Sequence, residues 1–160
     1  MAAADRNKFA DTLKFATPKG RVVYGGGGIM PDLFVPIDTS AYSYFYYHVR
    51  EKGLIYKFAF AYTDANREKL SKFKTYKQLS AYLKKVDIRK QFIRFTDKQG
   101  IDKYPNDLKV SSKAIGNQLE AFIIRNFFDN SGFYPTINTI DNTVNKALEV
   151  FEKQKSRPKK

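Results

Sequence analysis

The sequence predicts an α+β, mainly α fold: a short β-hairpin plus one further strand at the N-terminus, followed by a bundle of about six helices. Three observations carry this. Residues 13–37 are β-branched and aromatic runs separated by turn residues. After Asp38 the apolar spacing changes to a period near 3.6. Most of the periodic stretches follow a Ser, Thr or Asp that can cap a helix.

Thr17-Pro-Lys-Gly20 reads as a turn between Leu13–Ala16 and Arg21–Tyr24, with Pro pre-set for the second turn position. The glycines Gly25, Gly26, Gly27 and Gly28 then force a chain path into a third strand over Leu33–Ile37. Pro36 cannot donate to a ladder, so that strand ends early or lies at an edge. Thr39 and Ser40 are expected to cap a helix over Ala41–Lys52 that Gly53 stops. Leu54–Tyr62 reads as a buried helical run, and Asp64 as the cap of further turns through Phe73. Thr75 is expected to cap Tyr76–Lys85, and Asp87–Lys98 repeats that design. The polar stretch Gly100–Lys109, with Pro105-Asn-Asp107, reads as a loop. Ser111 is expected to cap the longest helix, Ser112–Phe128, ended by Asn130-Ser-Gly132. A last helix from Thr139 to about Lys153 would turn Ile140, Val144, Leu148 and Phe151 inward. The expected organisation is thus a β segment over 1–38, a helical domain over 39–152 and a basic tail over 153–160.

A chain of 160 residues buries about 70% of its unfolded surface and needs no covalent staple. It has no cysteine, which excludes disulfides and thiolate metal sites. The longest charge-free runs, Thr39–Val49 and Asn130–Ile140, have eleven residues; a membrane span needs roughly 20. No targeting signal is visible. The net charge of +13 points toward an anionic partner. Five of the basic residues, however, lie in Lys153–Lys160, and the other lysines are expected on polar helix faces.

No catalytic residue, metal site or cofactor is expected. A phosphate-binding P-loop ends in Gly-Lys-Ser/Thr and opens a helix, whereas Gly28 is followed by Ile29-Met-Pro31-Asp32 and a strand. His48 is the only histidine, too few for zinc without Cys. No Gly-x-Ser-x-Gly turn accompanies it. Asp32 and Asp38 flank one strand roughly 20 Å apart, too far for a dyad. The cluster Tyr42, Tyr44, Tyr46 and Tyr47 puts aromatics on every side of a helix, and it is expected to form a docking face.

Residues 13–39 resemble the carboxy-terminal processing (tail-specific) serine peptidases, in particular their Bacteroidetes-type members. The resemblance is carried by Thr17, Pro18, Gly20 and Arg21 in Phe15-Ala-Thr-Pro-Lys-Gly-Arg-Val-Val23, and by Gly28-Ile29-Met-Pro31-Asp32. Gly53-Leu-Ile-Tyr56 and Gly132-Phe-Tyr134 are similar to that subgroup's helical extension. The resemblance implies a parent enzyme of the periplasm or cell envelope with a Ser-Lys dyad and a PDZ module that presents the substrate tail. Neither the Gly-Ser-Ala-Ser-like turn nor the Ser-x-Gly-Lys segment of that family occurs in this chain. The chain is therefore expected to be a noncatalytic C-terminal fragment, its strands the last of a larger sheet. Expected partners are the upstream protease and PDZ domains, with homo-oligomerisation as a further mode. The alternative function is a basic helical nucleic-acid-binding module.

Overall fold

The computed structural model describes residues 14–18, 20, 22–24, 33–102 and 104–155. It divides into two compact units, Met1–Ile37 and Asp38–Lys160. The fold is mainly α, with a two-stranded hairpin and seven helices among the described residues.

In the first unit, β1 (Lys14–Ala16) pairs antiparallel with β2 (Val22–Tyr24), Phe15 opposite Val23. The turn closes where the Gly20 N–H donates to the Thr17 carbonyl at 2.8 Å. Gly20 takes a positive φ of 77°, which explains glycine at that position. Leu33–Ile37 does not form the expected third strand. Pro36 has no N–H to give a ladder, and β1 and β2 pair only with each other among the described residues. The glycine run Gly25–Gly28, with Arg21, Ile29, Pro31 and Asp32, lies outside the described residues.

The second unit is built around one long helix. Helix α1 is Tyr44–Glu51, α2 is Leu54–Ala65, and α3 is the single turn Arg67–Leu70. Helix α4 is Tyr76–Lys85, α5 is Ile88–Asp97, α6 is Pro105–Ile137, and α7 is Asn142–Lys155 after a 3-10 turn at Asn138–Ile140. Helix α6 packs against α1, α2, α4 and α5. Its Ala114, Ile115, Leu119, Ile123 and Ile124 are buried against Phe45, Val49, Phe58, Leu79, Leu83 and Phe92.

Local chemistry sets the boundaries. Thr75 caps α4, its hydroxyl accepting from the Gln78 N–H at 3.3 Å, and Asp87 caps α5 in the same way through Lys90. Gly53, at φ 64°, turns the chain between α1 and α2. Four expected caps move. Thr39 and Ser40 fold into a turn, where Ser40 donates to the Asp38 carboxylate through its N–H at 3.0 Å and its hydroxyl at 2.6 Å. Ser43 caps α1 instead, accepting from Tyr46 N–H. Asp64 stays inside α2 and pairs with Arg67 at 2.7 Å. The Asp141 carboxylate, rather than Thr139, accepts from the first amides of α7, Thr143 at 2.8 Å and Val144 at 3.0 Å.

The largest correction concerns α6. Pro105-Asn-Asp107 is not loop; it opens the helix, because a proline at the first position lacks only an N–H that would be unpaired anyway. Ser111 is therefore interior and buried, sharing a 2.5 Å hydroxyl contact with Ser43, 68 residues away. The helix breaks at Asp129, whose φ of 47° and ψ of −142° are non-helical, and resumes through Gly132 to Ile137. Gly132 is needed for close packing: a Cβ there would stand 2.6 Å from Ile124 Cγ2 and 2.7 Å from Phe128 Cβ. The resumed segment is tied back to α6 by the Asn117 amide, which donates to the Thr136 carbonyl and the Thr139 hydroxyl, both at 2.9 Å.

Candidate docking site

The expected tyrosine face is divided between inside and outside. Tyr46 is 2% exposed, and its hydroxyl accepts from Gln118 Nε2 at 2.6 Å. Partly buried Tyr42 stacks on it with ring centres 4.6 Å apart. Tyr44 and Tyr47 are exposed, Tyr44 lying 4.1 Å from the half-buried His48 ring. Phe45 and Tyr46 of α1 are both buried, and Ser43 caps the helix that carries them.

A second exposed aromatic set joins α2 to both halves of α6. Exposed Tyr56 stacks on exposed Phe60 and meets Phe122 edge-on at 5.6 Å. Phe122 in turn contacts Phe133 at 5.5 Å, beside exposed Tyr134. The Arg125 guanidinium lies 5.0 Å over the Phe133 ring. The break at Asp129 brings Phe133 back to Phe122, with Tyr134 beside it.

Helix α7 departs from expectation too. It buries no residue, and Leu148 and Phe151 are 55% and 60% exposed rather than inward. Its period is right for a packed helix, but it packs on the 3-10 turn at its own start.

A groove of about 550 Å³ lies between α4, the start of α5, α6 and the resumed segment. Lys77, Lys84, Arg89 and Lys113 line it, with two acids, Asp87 and Glu120. Both acids are already engaged. Glu120 accepts from the Ser80 hydroxyl at 2.5 Å with Lys84 Nζ 4.0 Å away, and Asp87 caps α5 with Arg89 Nε 3.9 Å away. Arg89 crosses α6 above Gly116, where a Cβ would meet its Cδ at 2.9 Å, and donates to Ser112 Oγ at 3.1 Å. Lys77 and Lys113 make no ion pair within 4.0 Å among the described residues. Asn117 Oδ1, in the groove wall, is the one buried side-chain polar atom without a partner among the described residues. Sequence reading spread the lysines over polar faces; the available signal was nine Lys/Arg against two Asp over residues 71–100.

Two ionisation shifts lie outside the groove lining. Hydrogen bonds from Ser40 hold the Asp38 carboxyl below its ordinary range. Burial, with the Tyr82 hydroxyl beside it, pushes Tyr62 up to about 12. Among the described residues no cluster of His, Asp and Glu could hold a metal ion. No helix of the described chain is long and apolar enough to cross a membrane.

No curated protein and no solved structure matches this sequence. A family model does, over residues 45–129, from the first turn of α1 to the break in α6. The helical body built around the first part of α6 is thus the shared unit, and the chain belongs to a family of unknown function (DUF8443).

Proposed function

We propose that this chain is the noncatalytic C-terminal part of a carboxy-terminal processing serine peptidase of the Bacteroidetes type, acting in the periplasm or cell envelope. Its helical body is a scaffold and docking domain for the protease and PDZ domains of the same enzyme. The reading rests on the motif resemblance, and the state of the hairpin supports it. Phe15, on three-residue β1, is 58% exposed, and Val22 and Val23 of β2 are exposed as well. A two-stranded ribbon of this length is marginal in water without more strands or a packed face. Its apolar side chains suit a sheet that further strands complete. The exposed aromatics Tyr44, Tyr47, Tyr56 and Phe60 suit contact with a larger protein.

Two experiments test this. The reading frame upstream of the hairpin codon should encode a Gly-Ser-Ala-Ser-like turn within about one domain length, roughly 100–200 residues. The purified chain should leave an unfolded protein substrate intact. Hydrolysis by the chain alone, or an upstream frame without that turn, would overturn the proposal. The basic run over residues 71–100 favours a second reading, a nucleic-acid-binding helical module. That reading requires oligonucleotide affinity that falls steeply with salt.

A further inference from the structure

We propose that the groove between α4 and α6 binds an acidic, partly apolar peptide segment of a protein partner. This rests on the groove's own chemistry and not on the peptidase reading. The two acids in the lining are spent on Ser80, Lys84, Arg89 and the α5 cap, whereas Lys77 and Lys113 face no carboxylate within 4.0 Å among the described residues. The lining thus carries four basic residues against two engaged acids, and although the Asp38 carboxylate also acts on Lys113, an anion entering the groove meets a positive balance.

Three features favour carboxylates on a peptide over a phosphate chain. The lining also carries Tyr76, Pro135 and Ile140, which offer apolar side chains a place between the charges. The only arginine of the lining, the residue suited to bidentate phosphate binding, already holds Ser112 and Asp87. Base stacking, which sustains single-strand binding, needs several aromatic faces, and Tyr76 is the single aromatic residue of the lining.

The test uses the full chain and a fluorescent, acetylated twelve-residue peptide of repeated Glu-Leu-Glu-Ala, read by anisotropy. Binding should weaken with added salt and be absent for the counterpart with Lys in place of Glu. The double variant Lys77→Glu/Lys113→Glu should lower affinity at least tenfold. Lys57→Glu/Lys98→Glu, the same charge change at exposed sites outside the groove, should leave it within about twofold. Circular dichroism confirms that both variants fold. Any one of three results overturns the proposal: no preference for the acidic peptide, equal loss in both double variants, or a groove-dependent affinity for oligothymidylate alone.

Discussion

Gly116 and Gly132 both sit in α6, and their substitutions should have different outcomes. A Cβ at Gly116 meets the Cδ and Cγ of the flexible Arg89 side chain, whereas at Gly132 it meets Ile124 and the Phe128 Cβ at under 2.8 Å. Alanine gains up to about 1 kcal/mol of helix propensity over glycine at either position. Gly116→Ala should therefore be neutral or slightly stabilising. At Gly132 overpacking costs about 1–3 kcal/mol, so Gly132→Ala should lower the urea midpoint. Equal midpoints for the two variants would show that the resumed segment does not pack as closely as described. Tyr62 gives a pH-dependent counterpart. Its folded pKa is pushed up to about 12, against an unfolded value of 10.0. The folded state therefore holds the neutral phenol more firmly. That stability is complete below pH 10 and is lost as pH rises from about 10 toward about 12. Absorbance of tyrosinate should show a late phase, and Tyr62→Phe should reduce it.

At the scale of elements, sequence legibility followed how local the determinant was. The starts of α4 and α5 could be read because Thr75 and Asp87 bond to amides three residues on. The tight turn at Thr17–Gly20 was equally local. Ser111 was misread as a cap because its partner, Ser43, lies on another element. The loop expected at Pro105 overlooked that a proline forbidden inside a helix is welcome at its first position. The third strand failed because a strand exists only through its partners, which no single run of residues displays. Helix α7 failed in the opposite way: its stripe was read correctly, but a stripe says which face can be buried, not that something buries it. The groove was the least legible feature, since it needs four segments together, of which the break at Asp129 places only the last. Here a comparison of stripes is informative. Phe92→Ala, in the α5 core, should cost about 3–5 kcal/mol. Leu148→Glu/Phe151→Glu on α7 should stay within about 0.5 kcal/mol in the isolated chain. A large loss on α7 in thermal or urea unfolding would mean that its apolar face is covered in the folded chain.

For the whole molecule, the division at Ile37 and Asp38 sets what must fold together. Among the described residues, every member of the hydrophobic core, buried or partly buried, lies between Ala41 and Phe128. That interval holds the helices that pack on α6, and the family match from 45 to 129 falls on the same stretch. A body that contains its own core should not need outside strands to fold. Residues 38–160 expressed alone should therefore be helical by circular dichroism and unfold in one cooperative transition. The hairpin is a different case. Each of its strands is three residues long, and its apolar residues Phe15, Val22 and Val23 stay in solvent. In the 160-residue chain its amides should exchange with solvent at rates near those of unfolded peptide, while those of α6 around Leu119 and Ile123 are protected to the level of global unfolding. Addition of a protein that completes the sheet should then slow exchange at Phe15 and Val23 and leave the α6 amides unchanged. Protection of the hairpin in the chain alone would remove the structural support for a borrowed sheet edge, and a gradual melt of 38–160 would show that the helical body is not a self-sufficient unit.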